Sequence, residues 1–518
     1  MAINKFTHVP AMLIVIGLLS WSRVSSQKKY NILDFGALPD GKTLNTRSIQ
    51  AAIDKAATNG GGQVIVPAGK FLSGAFMLKN GIDLHLDPGA ILLGSTNPYD
   101  YPFMEEILEK SFSGKKPIAA LIGARSVSNI SITGQGTIDG QGRELALTID
   151  SFFYTGKLDT HYYNLRRKRP EQRPGNIRFE KCENVSISGV TIKNAAFWVQ
   201  TYDLCKKLTI DHIRVESDAY WNNDGMDIVD CSNVRITHCF VNAADDGICL
   251  KSEHIDAIND SIYIENCTIR SSASAIKLGT ASLGGFKNIV IKNIRVYDTF
   301  RSAIAIESVD GGHLENVFVD SIFATNTGNP IFVKLGHRNK VGAVGTLKNI
   351  HIKNIRAEVP FGRPDENYEL QGPELPFFHN TFPSSITGLP GNPAESVRLE
   401  NIEISYPGNG NDGLAYLPLY RLKDVPEAER EYPEFSMFGE LPAWGFYVRH
   451  VTGLTMKNIV LAARKKDYRP ACVFDDVDGL EVLNFSVDEN DNGKQFILKD
   501  VNGAKMQIDN TLIQKIAQ

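Results

Sequence analysis

A short phrase of alternating apolar and polar residues recurs along most of the chain. Each copy begins at a corner residue, usually Asn, and continues into a short strand whose apolar side chains lie two positions apart. Copies begin at Asn129, Asn184, Asn233, Ser261, Asn288 and Asn349, and related copies follow at Val397, Leu454 and Leu480. In the central part of the chain the phrase returns roughly every 24 to 28 residues, a period typical of one turn of a β-solenoid.

A solenoid accounts for both kinds of position in the phrase. One turn cannot bury its Val and Ile side chains alone, but stacked turns bury them together and pair each strand with the next. Asn and Gly suit the corners because both tolerate left-handed backbone angles. We therefore predict an all-β protein, a right-handed parallel β-helix. Leucine-rich repeats would need a Leu spacing and a helix in each repeat, and a sandwich or propeller would need hairpins between paired strands.

One amphipathic helix is predicted before the repeats begin. It starts at Asn45 or Thr46 and ends before the glycines at 60–62. Its apolar stripe is formed by Ile49, Ala52, Ile53 and Ala56. Because the first turn of a solenoid needs a cover, we expect this helix to cap the N-terminal end of the β-helix.

Residues 27–518 are predicted to form one β-helix domain with two long insertions, near 142–175 and 360–445. We expect both insertions to be loops, which often carry binding residues on a rigid scaffold. The second is rich in Pro, Gly and aromatic residues, and the aromatics at 444–447 are candidates for a sugar-stacking platform. The first carries a basic run, equally compatible with a solvated loop, formed by Arg166, Arg167, Lys168, Arg169 and Arg173.

The first 26 residues have the pattern of a signal peptide. Lys5 precedes a short apolar run from Ala11 to Leu19, and small residues follow at 24–26. The run is too short to span a bilayer, no Cys follows it for a lipid anchor, and no later segment is apolar enough to cross a membrane. We therefore expect a secreted or periplasmic protein without a membrane span, and we expect a monomer.

Composition excludes some classes of function. The chain has 518 residues, 42% of them hydrophobic, which is ample for a large core, and its formal net charge of −4 does not suggest a nucleic-acid-binding protein. Its seven Cys residues lack metal-ligand spacing, so we interpret them as small buried hydrophobic residues, with one or two disulfides still possible.

One cluster of acidic residues indicates chemistry. Asn222, Asn223, Asp224 and Asp227 lie in one predicted turn, and Asp245 and Asp246 lie in the next. Asp245 follows Asp224 by 21 residues. Stacked turns would bring these carboxylates together, which raises at least one pKa. Glycoside cleavage uses such a pair, one as acid and one as base. Calcium is the alternative, but the repeat pattern of calcium solenoids and the EF-hand spacing are absent, so we predict no metal and no cofactor. Solvated corner aspartates are a further alternative.

At these residues the chain resembles glycoside hydrolase family 28, the polygalacturonase family. Asn222-Asn223-Asp224 is similar to the family's Asn-Thr-Asp motif, and Asp245-Asp246 to its Asp-Asp motif. The resemblance implies that Asp245 is the general acid, that Asp224 and Asp246 position and deprotonate water, and that the anomeric carbon is inverted. It also implies an acidic, uronate-containing polysaccharide or oligosaccharide as substrate.

Two motifs depart from the family pattern. The His position of its Gly-His-Gly motif holds Ser274, and the basic positions of its Arg-Ile-Lys motif hold Ala305 and Glu307. In the family those basic residues grip a galacturonate carboxylate, which Glu307 would repel unless it pairs with Lys277. We therefore expect the substrate to be bound by a set of residues that includes Glu307. The other members are Asn222, Lys251, Lys277, Arg301, Lys334, His337 and Arg338.

Three functions remain open at this point. The first is an inverting hydrolase that uses the three aspartates. The second is an elimination enzyme, a lyase or dehydratase acting on uronic acids, with Lys251, Lys277 or His337 as candidate groups for proton abstraction or carboxylate neutralisation. The third is a carbohydrate-binding β-helix without catalysis, against which the three aspartates argue.

Overall fold

The coordinates are a computed structural model that describes residues 28–102, 119–158, 163–339, 342–373, 375, 379–414, 417–488 and 493–516. Parallel strands wind around one apolar core, and each strand pairs with strands one turn earlier and one turn later. Ile177–Glu180, for example, lies between Ile122–Arg125 and Gln200–Asp203. The predicted right-handed parallel β-helix is confirmed. The predicted signal peptide lies outside the described residues.

The strands are listed here in chain order. The first half contains β1 (Lys29–Asn31), β2 (Asp40–Leu44), β3 (Gly62–Val66), β4 (Gly69–Ser73), β5 (Phe76–Met77), β6 (Ile82–Leu86), β7 (Ala90–Gly94), β8 (Ile122–Arg125), β9 (Ser128–Gly134), β10 (Thr137–Asp139), β11 (Tyr163–Asn164), β12 (Arg169–Pro170), β13 (Ile177–Glu180), β14 (Glu183–Ser188), β15 (Thr191–Lys193), β16 (Gln200–Asp203), β17 (Lys206–Asp211), β18 (Arg214–Ser217), β19 (Met226–Val229), β20 (Ser232–Thr237), β21 (Phe240–Ala243) and β22 (Ile248–Ser252). The second half contains β23 (Asn259–Ser271), β24 (Ile276–Ser282), β25 (Gly285–Ser308), β26 (His313–Leu335), β27 (Thr346–Glu358), β28 (Ser384–Thr387), β29 (Ala394–Tyr406), β30 (Phe446–Ala463), β31 (Cys472–Val487), β32 (Phe496–Asn502), β33 (Lys505–Gln507) and β34 (Ile513–Ile516).

The corners of the solenoid are built from stacked Asn residues. Asn129, Asn184, Asn233, Asn288 and Asn349 all have φ near +56°. The amide of Asn184 donates to the side-chain oxygen of Asn129, and equivalent bonds run between later corners. Asn tolerates this left-handed angle, and its side-chain amide both donates and accepts hydrogen bonds. Each corner side chain therefore pairs with that of the next corner. The predicted corner role of Asn is confirmed.

The N-terminal helix caps the solenoid as predicted. Helix α1 runs over Thr46–Thr58 and buries Ile49, Ala52, Ile53 and Ala56 against the first strands. Asn45 stands at the N-cap position, but its amide binds the backbone of Leu38 instead of the helix. The residue therefore ties the preceding loop to the helix start.

The first insertion is not the loop that we expected. Gly142–Tyr154 forms a second helix, α2, which buries Leu145, Ala146 and Ile149. After it, β11 and β12 pair as a small antiparallel hairpin. The error has a local cause, because an apolar stripe at helical spacing was present in this stretch and was outweighed by the basic residues that follow it.

The second insertion is also more ordered than predicted. Strands β28 and β29 lie inside it and belong to the solenoid. We call residues 417–443 the cover segment, and the sheet that contains β19, β22 and β24 the third sheet. The cover segment packs on the outer side of the third sheet. The apolar side chains of this contact are Leu417, Leu422, Val425, Phe435, Phe438, Leu441 and Ala443 from the cover segment against Ala305, Phe332, Tyr447, Val473 and Ile497 from the sheet.

The seven cysteines are buried free thiols, so the hydrophobic interpretation is confirmed. Trp444, Phe446 and Tyr447 are also buried, so the predicted stacking platform at 444–447 was wrong. Among the described residues, no helix combines the length and the apolar composition needed to cross a membrane.

Candidate active site

Adjacent turns of the third sheet place the acidic residues at one corner. Asp224 lies two residues before β19, and Asp246 lies two residues before β22, one turn later. Backbone bonds lock the two corners together: the amide of Gly225 donates to the carbonyl of Asp246 at 2.9 Å. One turn here is 22 residues, the separation of Asp224 from Asp246, so the predicted correspondence of the 21-residue spacing to about one turn holds.

The three predicted aspartates are brought together. Carboxylate oxygens of Asp224 and Asp246 lie within 4.8 Å of each other and of the thiol sulfur of Cys249. Asp245 is part-buried and faces the same corner, where the amide of Asn222 donates to its Oδ2 at 3.2 Å. Asn222 thus contacts Asp245, and its part in substrate binding stays a prediction.

Asn223 and Arg173 hold the corner in place. Asn223 accepts from Ser217 Oγ at 3.0 Å, and its amide donates to the carbonyl of Ala195 at 2.9 Å. The buried guanidinium of Arg173 donates to the carbonyl of Trp221 at 2.8 Å and to Oδ1 of Asn222 at 3.2 Å. The orientation of the Asn222 side chain is therefore fixed from both sides.

Two buried lysines neutralise the aspartates. Lys251 donates to Asp224 Oδ2 at 2.9 Å and also binds Asp227, the second aspartate of the same predicted turn. Its ammonium lies 4.3 Å from the centre of the Trp198 ring. Asp227 is fully buried in β19, three residues after Asp224.

Lys277 occupies the corresponding place one turn further on. Its ammonium lies 3.3 Å from Asp246 Oδ2 and 4.0 Å from Glu307 Oε2, and it donates to the Tyr432 hydroxyl at 3.1 Å. The ladder register of the third sheet places Lys277 between Cys249 and Ala305. The anticipated pairing of Lys277 with Glu307 is thus present, but Asp246 is the nearer carboxylate.

The pKa values of neighbouring carboxyl groups are displaced in different directions. Burial raises the pKa of Asp245, and the adjacent Asp246 charge raises it further. Burial alone would also raise the pKa of Asp246, but Lys277, Lys251 and Arg301 outweigh it, so that pKa is lowered. Burial raises the pKa of Asp224 even beside Lys251, and raises that of Asp227 to about 7. Of the two adjacent carboxyl groups, Asp246 is therefore the one whose ionised form is favoured.

Ser274, Ala305 and Glu307, which the resemblance places at the family's basic positions, carry no positive charge. The amide of Ser274 donates to Asp246 Oδ1 at 3.0 Å, so its backbone, not an imidazole, meets the aspartate. Ala305 and Glu307 are buried. Burial raises the pKa of Glu307 to about 8, and its Oε2 has no hydrogen-bond partner among the described residues. Burial therefore favours the neutral form of Glu307 more than that of an ordinary glutamate, against the effect of Lys277.

The cover segment reaches the site at two residues that sequence reasoning missed. Glu434 binds Arg301 with a nitrogen-to-oxygen distance of 3.0 Å, and Tyr432 contacts Lys277 while half of its side chain stays exposed. No local signal marked them, because they follow Arg301 by more than 130 residues in an insertion without a repeat.

Three predicted binding residues have protein partners of their own. Lys334 is fully buried and donates to the carbonyl of Glu427 at 2.9 Å, under the cover segment. Arg338 forms a two-pronged ion pair with Asp310, at 3.0 and 2.7 Å. His337 lies 3.8 Å from a carboxylate oxygen of Glu429. Lys334 and Arg338 thus already contact protein groups, and their part in binding a sugar carboxylate stays a prediction.

A metal ion fits this donor set poorly. Asp224, Asp246 and Cys249 could each offer one ligand atom. Both carboxylates, however, already contact lysine ammonium groups, and burial raises the pKa of the Cys249 thiol, which opposes the thiolate form that binds metals. The lysines supply the positive charge that a cation would otherwise bring.

The fold and the site define the chain as a parallel β-helix protein with a cluster of aspartates at one corner. Its similarity to known proteins identifies the family. Residues 59–363 match glycosyl hydrolases family 28, and the chain belongs to that family. It is 27% identical over 352 residues to a probable polygalacturonase of Vitis vinifera, covering 66% of this chain and 63% of the relative. It is 26% identical over 389 residues to an exo-poly-alpha-D-galacturonosidase of Dickeya chrysanthemi, covering 64% and 63%.

A solved structure supports the fold. An exopolygalacturonase from Thermotoga maritima superposes with a TM-score of 0.58 at 23% identity, covering 73% of this chain and 87% of that one. The matches to the two curated relatives span a little under two thirds of those relatives' own lengths.

Proposed function

We propose that this protein is an inverting glycosidase that hydrolyses glycosidic bonds in a galacturonate-containing polysaccharide or its oligosaccharides. Membership of glycosyl hydrolases family 28 and the polygalacturonases among its relatives support this class of substrate. The observation that carries the chemistry is the opposite displacement of two neighbouring pKa values, upward for Asp245 and downward for Asp246. Environments that separate two carboxyl groups in this way assign one to acid and one to base chemistry.

Asp245 is the proposed general acid. Its raised pKa keeps a proton available for the oxygen of the leaving sugar. Asn222 and the amide of Asp246 bind its two oxygens, at 3.2 and 3.1 Å, which orients the carboxyl group. The proton moves to the glycosidic oxygen as the bond to the anomeric carbon breaks.

Asp246 is the proposed base. It stays ionised because Lys277 and Lys251 lie beside it, and Asp224 stands within 4.8 Å to share a water molecule. The water loses a proton to Asp246 and attacks the anomeric carbon from the face opposite the leaving oxygen, so the configuration is inverted.

Elimination is less well supported. A lysine that abstracts a proton must be neutral, but the carboxylates around Lys251 and Lys277 raise the pKa of each ammonium well above its ordinary value, against the opposing effect of burial. Both lysines are therefore cations that organise the aspartates.

The test is the Asp245→Asn variant on a panel of galacturonate oligosaccharides. Replacing the carboxylic acid by an amide removes the proton donor and keeps the shape of the side chain. We therefore expect kcat to fall by about 100- to 10,000-fold with the fold retained. Asp218→Asn, an exposed aspartate of the preceding corner, is the matched control and should keep full activity. Full activity in Asp245→Asn would refute the assignment.

A further inference from the structure

A galacturonate carboxylate near Asp245 needs a cation that the protein has not already neutralised. The cations that act on Asp245 are Arg301, Lys277 and Lys251, together with Arg169 from the first insertion. The first three each have a carboxylate partner: Glu434 for Arg301, Asp246 for Lys277, and Asp224 for Lys251. At the family's basic positions stand Ala305 and Glu307, which supply none.

Arg169 is different from these three cations. Its side chain forms no ion pair with any described residue, whereas each of the other three has a carboxylate partner. Its Nε is buried without a hydrogen-bond partner, as is the Nε of Arg301. The three basic residues before it, at 166–168, are exposed, whereas Arg169 is half-buried. A guanidinium that is partly desolvated and unpaired is costly unless a ligand completes its bonds.

The backbone around Arg169 is held at both ends. On one side, β12 pairs with β11, whose Tyr163 stacks on Phe153 of α2 with ring centres 4.1 Å apart. On the other side, Arg173 is bonded to Trp221 and Asn222, and Asn222 contacts Asp245. Arg169 therefore lies four residues before Arg173, which supports the side chain that orients the proposed acid.

We propose that Arg169 grips the carboxylate of a bound uronate sugar beside Asp245, replacing from the first insertion the cations that the sheet lacks. This inference rests on the proposed function for its substrate class. A guanidinium binds a carboxylate through two parallel N–H donors, which fixes both the charge and the orientation of the sugar. Arg169 is only half-buried, so part of its side chain is open to a ligand, and its unpartnered Nε has a bond left to donate.

The experiment measures binding in an Asp245→Asn background, which prevents cleavage. A galacturonate trisaccharide and its methyl ester are titrated calorimetrically into that parent, Arg169→Gln, Arg169→Lys and the control Arg167→Gln, an exposed neighbour. We expect Arg169→Gln to raise Kd for the free acid by about 10- to 100-fold, the usual effect of losing hydrogen bonds between charged groups. Binding of the ester should not change, Arg169→Lys should recover part of the loss, and Arg167→Gln should match the parent.

Equal Kd values for the free acid in the parent and Arg169→Gln would overturn the inference. So would an equal loss for acid and ester, which would indicate a structural role, and so would a parent that binds neither sugar. Turnover by the wild-type protein separates the two proposals. Cleavage that does not depend on Arg169 refutes only this inference, whereas Arg169-dependent binding without cleavage refutes only the hydrolase assignment.

Discussion

The ammonium of Lys277 lies 3.3 Å from a carboxylate oxygen of Asp246. This contact gives the two adjacent aspartates different charge states, because Lys277 is the largest of the charges that lower the pKa of Asp246. Asp245, next in the chain, is only partly covered, and burial raises its pKa. One lysine from the following turn thus separates the pKa of the proposed base from that of the proposed acid.

Lys277→Met should shift the pH dependence of catalysis. Without the ammonium, the pKa of Asp246 rises, so a higher pH is needed to ionise the base, and the acidic limb of the kcat/KM profile moves upward. We expect activity at pH 5 to fall by roughly tenfold or more. A pH–rate profile measures the shift, with the exposed Lys287→Met as control. An acidic limb that stays in place would show that Asp246 is not the base.

Arg173→Lys should lower kcat more than it changes KM. A lysine cannot reproduce the planar set of bonds to Ala196, Trp221 and Asn222, so the amide that orients Asp245 loses its support. We expect kcat to fall by about 10- to 100-fold. Steady-state kinetics beside Arg166→Lys, an exposed arginine of the same insertion, provides the comparison. A rise in KM alone would mean that Arg173 acts in substrate binding.

Lys334→Met should stabilise the fold in a pH-dependent way. Burial lowers the pKa of Lys334 to about 7, below its ordinary value of 10.5. The unfolded chain therefore binds more protons between these values, and wild-type stability rises with pH across that window. Below pH 7 the cost of the buried charge is fully present, so we expect the variant to raise Tm by roughly 2–4 °C at pH 6 and by less at pH 9.

Thermal melts at the two pH values test this prediction. Lys423→Met, an exposed lysine of the cover segment, should change Tm little at either pH. An equal gain for Lys334→Met at pH 6 and pH 9 would show that Lys334 is not the titrating group, and a loss at pH 6 would show that its bond to Glu427 outweighs the cost of burial.

The repeating part of the molecule was predictable because its signal is local and periodic. Asn184 and Asn288 mark corners by their conformational tolerance, and the alternating Val and Ile residues that follow can be buried only by stacked turns. The same period predicted the meeting of Asp224 with Asp246, since a separation near one turn places residues at one corner.

The contacts made by the insertions were not predictable in this way. Glu434 reaches Arg301 and Tyr432 reaches Lys277 because the cover segment packs on an apolar outer face formed by residues such as Phe332. Strand alternation marks Phe332 as outward-facing but does not say which distant segment covers it. The ion pair of Arg338 with Asp310 has a different origin, because the two residues lie 28 positions apart in adjacent turns of the solenoid.

The most direct test of the account is the mass of the products. Purified protein is incubated with galacturonate oligosaccharides in water enriched in oxygen-18, and the products are analysed by mass spectrometry. Hydrolysis predicts that each cleaved bond adds one water, with the heavy oxygen at the new reducing end and no new ultraviolet absorbance. A product short of one water, with the absorbance of a conjugated double bond, would contradict the account and establish elimination.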